Sequence, residues 1–143
     1  MNKEKLQNFA NFLRKVPSGQ FNFTYTTRFR NGRFDGCALG QLPKFDNSFT
    51  YKTVMDGTYL LIDHALLYSK YGDSYKPCKY YDVANFFDIS YEESCGLFDY
   101  GINPNTNKDQ QQSYNLWSKK KLTEKSTAKE VADSIEAFIK YKS

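Results

Sequence analysis

Arg33-Phe34-Asp35-Gly36-Cys37-Ala38-Leu39-Gly40-Gln41-Leu42 is the stretch on which the fold turns. It follows a strand-like run and an Asn31-Gly32 pair. Its two glycines bracket an apolar Cys-Ala-Leu, so the backbone is expected to pass here from extended to helical, and two layers should meet at this point.

Upstream of it, Phe21, Phe23, Tyr25, Thr27 and Phe29 alternate with Asn22, Thr24, Thr26, Arg28 and Arg30, the period-two pattern of a half-buried strand. Asn31-Gly32 tolerates positive φ and reads as a tight turn, so an antiparallel hairpin is expected over about Phe21 to Asp35. Before it, Leu6, Phe9, Ala10, Leu13 and Val16 recur at steps of three and four. They give a first helix with one buried face, ended by Pro17-Ser18-Gly19.

Downstream, Cys37 to Leu42 reads as a short helix closed by Pro43, and Lys44 to Tyr51 as an irregular segment with a possible strand. Asp56 to Tyr71 is long enough for a helix capped by Asp56 and closed by Gly72-Asp73. The run Tyr59-Leu60-Leu61-Ile62 fits a buried strand equally well, and length favours the helix. Ser74 to Lys79, with Pro77, reads as a connection.

Tyr81 to Phe87 reads as a helix, and Ser90-Tyr91-Glu92-Glu93 as a capping box that opens another, from about Tyr91 to Asp99. Gly101 to Pro104 breaks it, and the apolar-free stretch from Asn105 to Gln112 predicts a flexible loop at 103–113. Ser126 or Thr127 should cap the last helix, whose stripe Val131, Ile135, Phe138 and Ile139 faces the core. The expected fold is α+β: one helix-rich domain over residues 1–143 with an antiparallel hairpin near the amino terminus.

Composition narrows the function. A chain of 143 residues buries about two-thirds of its unfolded surface and needs neither disulfide nor metal to hold a core. Twelve Tyr and 12 Phe supply apolar area beyond what such a core requires. The net charge of +4 suits an anionic partner and falls short of a dedicated nucleic-acid arm. Cys37, Cys78 and Cys95 are odd in number and widely spaced, which points to a reduced cytoplasm. The opening residues lack the apolar run of a signal peptide, and the longest apolar run is too short to cross a membrane, so a cytoplasmic protein without membrane association is expected. Abundant Asn, Lys, Tyr and Phe match the composition of AT-rich genomes such as those of many phages or low-GC bacteria.

Three patterns, in order, carry a resemblance: Gly36-Cys37-Ala38-Leu39-Gly40-Gln41; Ala84 with Phe87-Asp88-Ile89-Ser90, Glu92-Glu93 and Leu97-Phe98; and Thr127 to Asp133 followed by Ile135 and Phe138-Ile139. This order resembles a group of short bacterial and phage proteins with a Cys-x-x-Gly-His segment, a helix pair ending in Leu-Phe and a carboxy-terminal amphipathic helix. Gln41 stands where that group commonly has His. The resemblance implies an order of elements and no particular chemistry or cofactor.

Arg28, Arg30 and Arg33 lie beside Tyr25, Phe29 and Phe34, a mixture that pairs guanidinium with phosphate and offers rings for stacking. Arg28, Arg30, Arg33, Tyr25, Phe34 and Gln41 form the candidate ligand-binding set. The competing reading is an outward basic face over an aromatic core. Cys37 at a helix start would have its thiolate favoured by the helix dipole, and His64, the one histidine, could serve as its base with Asp35, Asp46 or Asp63 orienting it. Against that, a small residue between glycines commonly serves close packing. No cysteine or histidine spacing is that of a zinc site, and no phosphate-binding glycine loop occurs. Lys119-Lys120-Lys121 fits a solvated stretch.

The leading expectation is a small non-catalytic binding protein that occupies a host protein or an anionic nucleotide-type ligand, as a phage host-takeover or anti-defence factor would. The alternatives are a cysteine hydrolase using Cys37 and His64, and a single-stranded nucleic-acid binder using the arginine-aromatic hairpin.

Overall fold

The computed structural model describes residues 1–21, 28–30, 33–56, 59–98 and 126–143; over 28–30, 33–35, 52–56 and 59–66 it describes the backbone. The fold is α+β. The chain divides into two compact units, one formed by Met1–Lys15 with Lys79–Ser143 and the other by Val16–Cys78.

The first unit is helical. It comprises α1 (Lys3–Arg14), α3 (Tyr80–Phe87), α4 (Tyr91–Phe98) and α5 (Ala128–Lys142). Leu6, Phe9, Ala10 and Leu13 of α1 are buried, and α5 packs along α1 with Val131, Ile135, Phe138 and Ile139 in the same core. The three-and-four spacing puts each set on one stripe, and facing stripes exclude water from both helices. Arg14 of α1 straddles Asp133 at 2.7 Å and Glu136 at 2.9 Å on α5. The hydrogen bonds to Asp133 and then Glu136 raise the guanidinium pKa further, although such exposed pairs add little to stability.

The capping box expected at Ser90 forms, and Thr127 is the residue that caps the last helix. Ser90 Oγ accepts from the Glu93 amide at 3.0 Å while Glu93 Oε1 accepts from the Ser90 amide at 2.9 Å. Burial pushes the Glu93 carboxyl up, but the Ser90 amide and the Lys142 ammonium at 3.0 Å outweigh it, and the net shift is downward. Thr127 and Glu130 make the second box, which opens α5.

The second unit holds the strands. β1 (Arg28–Arg30) pairs antiparallel with β2 (Arg33–Asp35), and β3 (Phe49–Asp56), β4 (Tyr59–Tyr71) and β5 (Ser74–Pro77) form an antiparallel sheet in that order. β1 packs on β4. The arm expected at 22–27 lies outside the described residues, while Phe21 makes a parallel bridge with Gly36. The loop expected at 103–113 also lies outside them.

Four expectations are corrected. Asp56 to Tyr71 is not a helix: β4 pairs with β3 from Phe49↔Ser69 to Asp56↔Tyr59 and with β5 from Tyr68↔Pro77 to Tyr71↔Ser74. Leu67 and Ser69 are buried while Lys70 and Tyr71 are exposed, a burial pattern that the helical period would not give. The possible strand in Lys44 to Tyr51 is present as the start of β3, but Lys44 and Phe45 belong to α2 (Leu42–Phe45) and not to an irregular segment. Ser74 to Pro77 is an exposed edge strand rather than a connection. Gly72-Asp73 joins it to β4 with Gly72 at φ +56°, as the first loop residue of a two-residue hairpin turn allows. Pro43 does not close a helix but sits in the first turn of α2, where its missing N–H costs nothing.

Between Thr53↔Ala65 and Val54↔Leu61 the register shifts, and Ile62, Asp63 and His64 bulge from the β3–β4 ladder.

Candidate functional site

The ribbon β1–β2 places the predicted arginines together. Its register sets Arg28 opposite Asp35, Phe29 opposite Phe34 and Arg30 opposite Arg33. Positions directly opposite share a face, and so do positions two apart along a strand. Arg28, Arg30, Arg33 and Asp35 are therefore positions of one face, and Phe29 and Phe34 of the other.

Sequence pattern alone brings Arg28 and Arg30 together; the pairing adds Arg33 to them and Phe34 to Phe29. The arginine positions and the positions of Phe29 and Phe34 are thus divided between the two faces of the ribbon. Tyr25 lies outside the described residues. Asp35, considered from sequence only as a partner for His64, falls on the arginine face opposite Arg28. The Asn31-Gly32 pair in the sequence signals this, since a two-residue spacing between strands sets Arg30 opposite Arg33 and every pair beyond it.

Gln41 has a different place. It is fully buried, and its Nε2 donates to the Gln20 carbonyl at 2.8 Å and the Gly36 carbonyl at 3.0 Å. The Gly36 amide in turn donates to the Gln20 carbonyl at 3.3 Å. The side chain ties the chain entering the ribbon to the chain leaving it. Its amide donors are spent on backbone, while Oε1 is buried with no partner among the described residues. Nearby, Tyr51 OH donates to the Gly40 carbonyl at 2.7 Å, which fastens β3 to the same turn.

Cys37 is half-buried and stands before a three-residue 3-10 turn, Leu39–Gln41, and the four-residue α2. Neither turn sums enough peptide dipoles to act as the helix start from which a stabilised thiolate was expected. His64 and Asp63 lie in the β4 bulge. Asp46 Oδ1 accepts from the Ser48 amide at 2.8 Å and so shapes its own turn. Lys119-Lys120-Lys121 lies outside the described residues. Among the described residues no three His, Cys, Asp or Glu side chains gather as a metal site would need, and no helix is long and apolar enough to cross a membrane.

The other thiols differ in environment. Cys95 is buried. Burial pushes the Cys78 thiol up to about 11, partly offset by the Ser69 hydroxyl. A raised thiol pKa keeps the proton on sulfur, so at pH 8 only about one Cys78 in a thousand is thiolate. Cys78 is accordingly expected to label with iodoacetamide at pH 8 at least about 100-fold more slowly in the folded protein than after denaturation. Peptide mapping by mass spectrometry reads the ratio, and equal rates would contradict the buried environment.

Comparison of the chain with protein-family models, with curated proteins and with solved structures finds no match in any of the three.

Proposed function

We propose that this chain is a non-catalytic binding protein that takes a phosphate-bearing, nucleotide-type anion on the β1–β2 ribbon. The observation that carries the reading is the register: it adds Arg33 to Arg28 and Arg30 on one face. Guanidinium is planar, permanently charged and forked, so neighbouring arginines can each hold phosphate oxygens in pairs. The net charge of +4 favours approach of an anion. Occupying such a ligand, or a host protein that presents one, is how a phage takeover or anti-defence factor of this size would act. The hydrolase reading is weaker for want of the helix start it requires at Cys37.

Calorimetric titration with ATP tests the proposal. Arg28→Ala, Arg30→Ala and Arg33→Ala are each expected to weaken binding about 10-fold, the value of one charge-assisted hydrogen-bonding group, and the triple variant to abolish it. Thermal unfolding of each variant is the control that shows affinity, and not the fold, is lost. Unchanged affinity in the triple variant would remove the arginine face from the site. Absence of binding at millimolar ATP, with a co-purifying protein still held by the triple variant, would leave only a protein partner.

A further inference from the structure

We infer that the ribbon recognises the oligophosphate group itself and is indifferent to the base, an inference that deepens the anion-binding reading and rests on it.

The arginine positions are compact. Arg30 and Arg33 are directly opposite, which in an antiparallel pair means Cα atoms about 4.5–5.5 Å apart. Arg28 is two residues along from Arg30 on the same strand, about 7 Å away. The three arginine positions thus span no more than a single di- or triphosphate chain can serve, its phosphorus atoms being separated only by bridging oxygens. In a nucleic-acid strand each phosphate is separated from the next by a whole ribose, so a patch of this size meets few of them. β1 and β2 are three residues each, which leaves the described ribbon no length to track a strand.

The rings point the argument the same way. Binders of single strands set aromatic side chains beside the basic groove so that bases stack while phosphates pair. Here the register gives Phe29 and Phe34 to the opposite face of the ribbon. The arginine face therefore holds phosphate and has no ring position of its own among the described residues to read or stack a base. Phosphate contacts position a ligand without distinguishing its base. Asp35, the fourth position of that face and opposite Arg28, lowers its net charge.

The test is a set of calorimetric titrations of the full chain with tripolyphosphate, ATP, GTP, CTP, orthophosphate and a short oligothymidylate, each at two salt concentrations. Tripolyphosphate and the three nucleotides are expected to bind one to one with dissociation constants within about three-fold of one another, since all present the same group. Orthophosphate should bind at least about 10-fold more weakly, because one phosphate engages fewer guanidiniums. ATP binding with tripolyphosphate 10-fold or more weaker would show that the base is read. That result overturns this inference and leaves the anion-binding proposal standing. Oligothymidylate binding more tightly than ATP, with a steep loss on added salt, would overturn it in favour of a strand. No binding of any of the six at millimolar concentration would overturn the proposal that the ribbon takes a phosphate anion, and this inference with it.

Discussion

Phe9→Ala should lower the free energy of unfolding by about 3–5 kcal/mol, the cost of emptying a well-packed aromatic site. Phe9 is fully buried, its ring 5.5 Å from that of Phe87 and 6.2 Å from that of Phe98. One side chain on α1 thus touches the ends of both α3 and α4, and truncation leaves a gap that three helices would have to close together. Backbone geometry fixes those helices through their own ladders and capping boxes, so collapse into the gap is incomplete and the cavity term is retained. Denaturant unfolding followed by circular dichroism should show a lower midpoint with an unchanged slope. A loss under about 1 kcal/mol would mean that Phe9 is not at the centre of the helical core.

Gln41→Ala should cost about 1–3 kcal/mol, because it leaves the Gly36 carbonyl without its side-chain donor and the Gln20 carbonyl with only the long Gly36 amide bond. Removing the partnerless Oε1 returns part of that loss, and the space once filled by the side chain adds to it. Amide exchange separates this account from a general loosening. Protection at Gly36 should fall first, since its bridge to Phe21 is what the glutamine holds in place. Wild-type stability together with unchanged exchange at Gly36 would show that the tie is dispensable.

Much of the fold is legible in the residues, and the errors have one physical origin. Helices α4 and α5 announce themselves through a Ser or Thr cap with Glu three residues later, and α1 through its three-and-four stripe behind the Asn2 cap. In β4 the signals conflict. Leu60, Leu61, Leu66 and Leu67 are good helix formers, and a 13-residue segment has helical length. What decides for strand is pairing on both sides, a tertiary effect that local propensity cannot register. The sequence does carry a clue in Gly57-Thr58 and Gly72-Asp73, each a two-residue step headed by glycine between runs that end up paired. Reading the second as a helix stop hid β5 as well.

The candidate site was half legible. Alternation places Arg28 with Arg30, and the register of β1 with β2 then adds Arg33 and Asp35 to them and leaves Phe34 on the other face. Gln41, singled out with the ligand set, proved to be a backbone tie, because a side chain five residues after Gly36 can reach back over a 3-10 turn in a way that spacing alone does not reveal.

The central claim is that Arg28, Arg30, Arg33 and Asp35 share one face and that this face holds the anion. Asp35→Asn tests it most directly, since the change keeps shape and removes one negative charge. Calorimetry with ATP should show binding tightened by about two- to five-fold, the Coulomb effect of removing one like charge several ångströms from the anion. Asp73→Asn, in the exposed turn before β5, alters net charge equally and should leave affinity unchanged. Unchanged or weakened binding in Asp35→Asn, or equal tightening in both variants, would contradict the shared face.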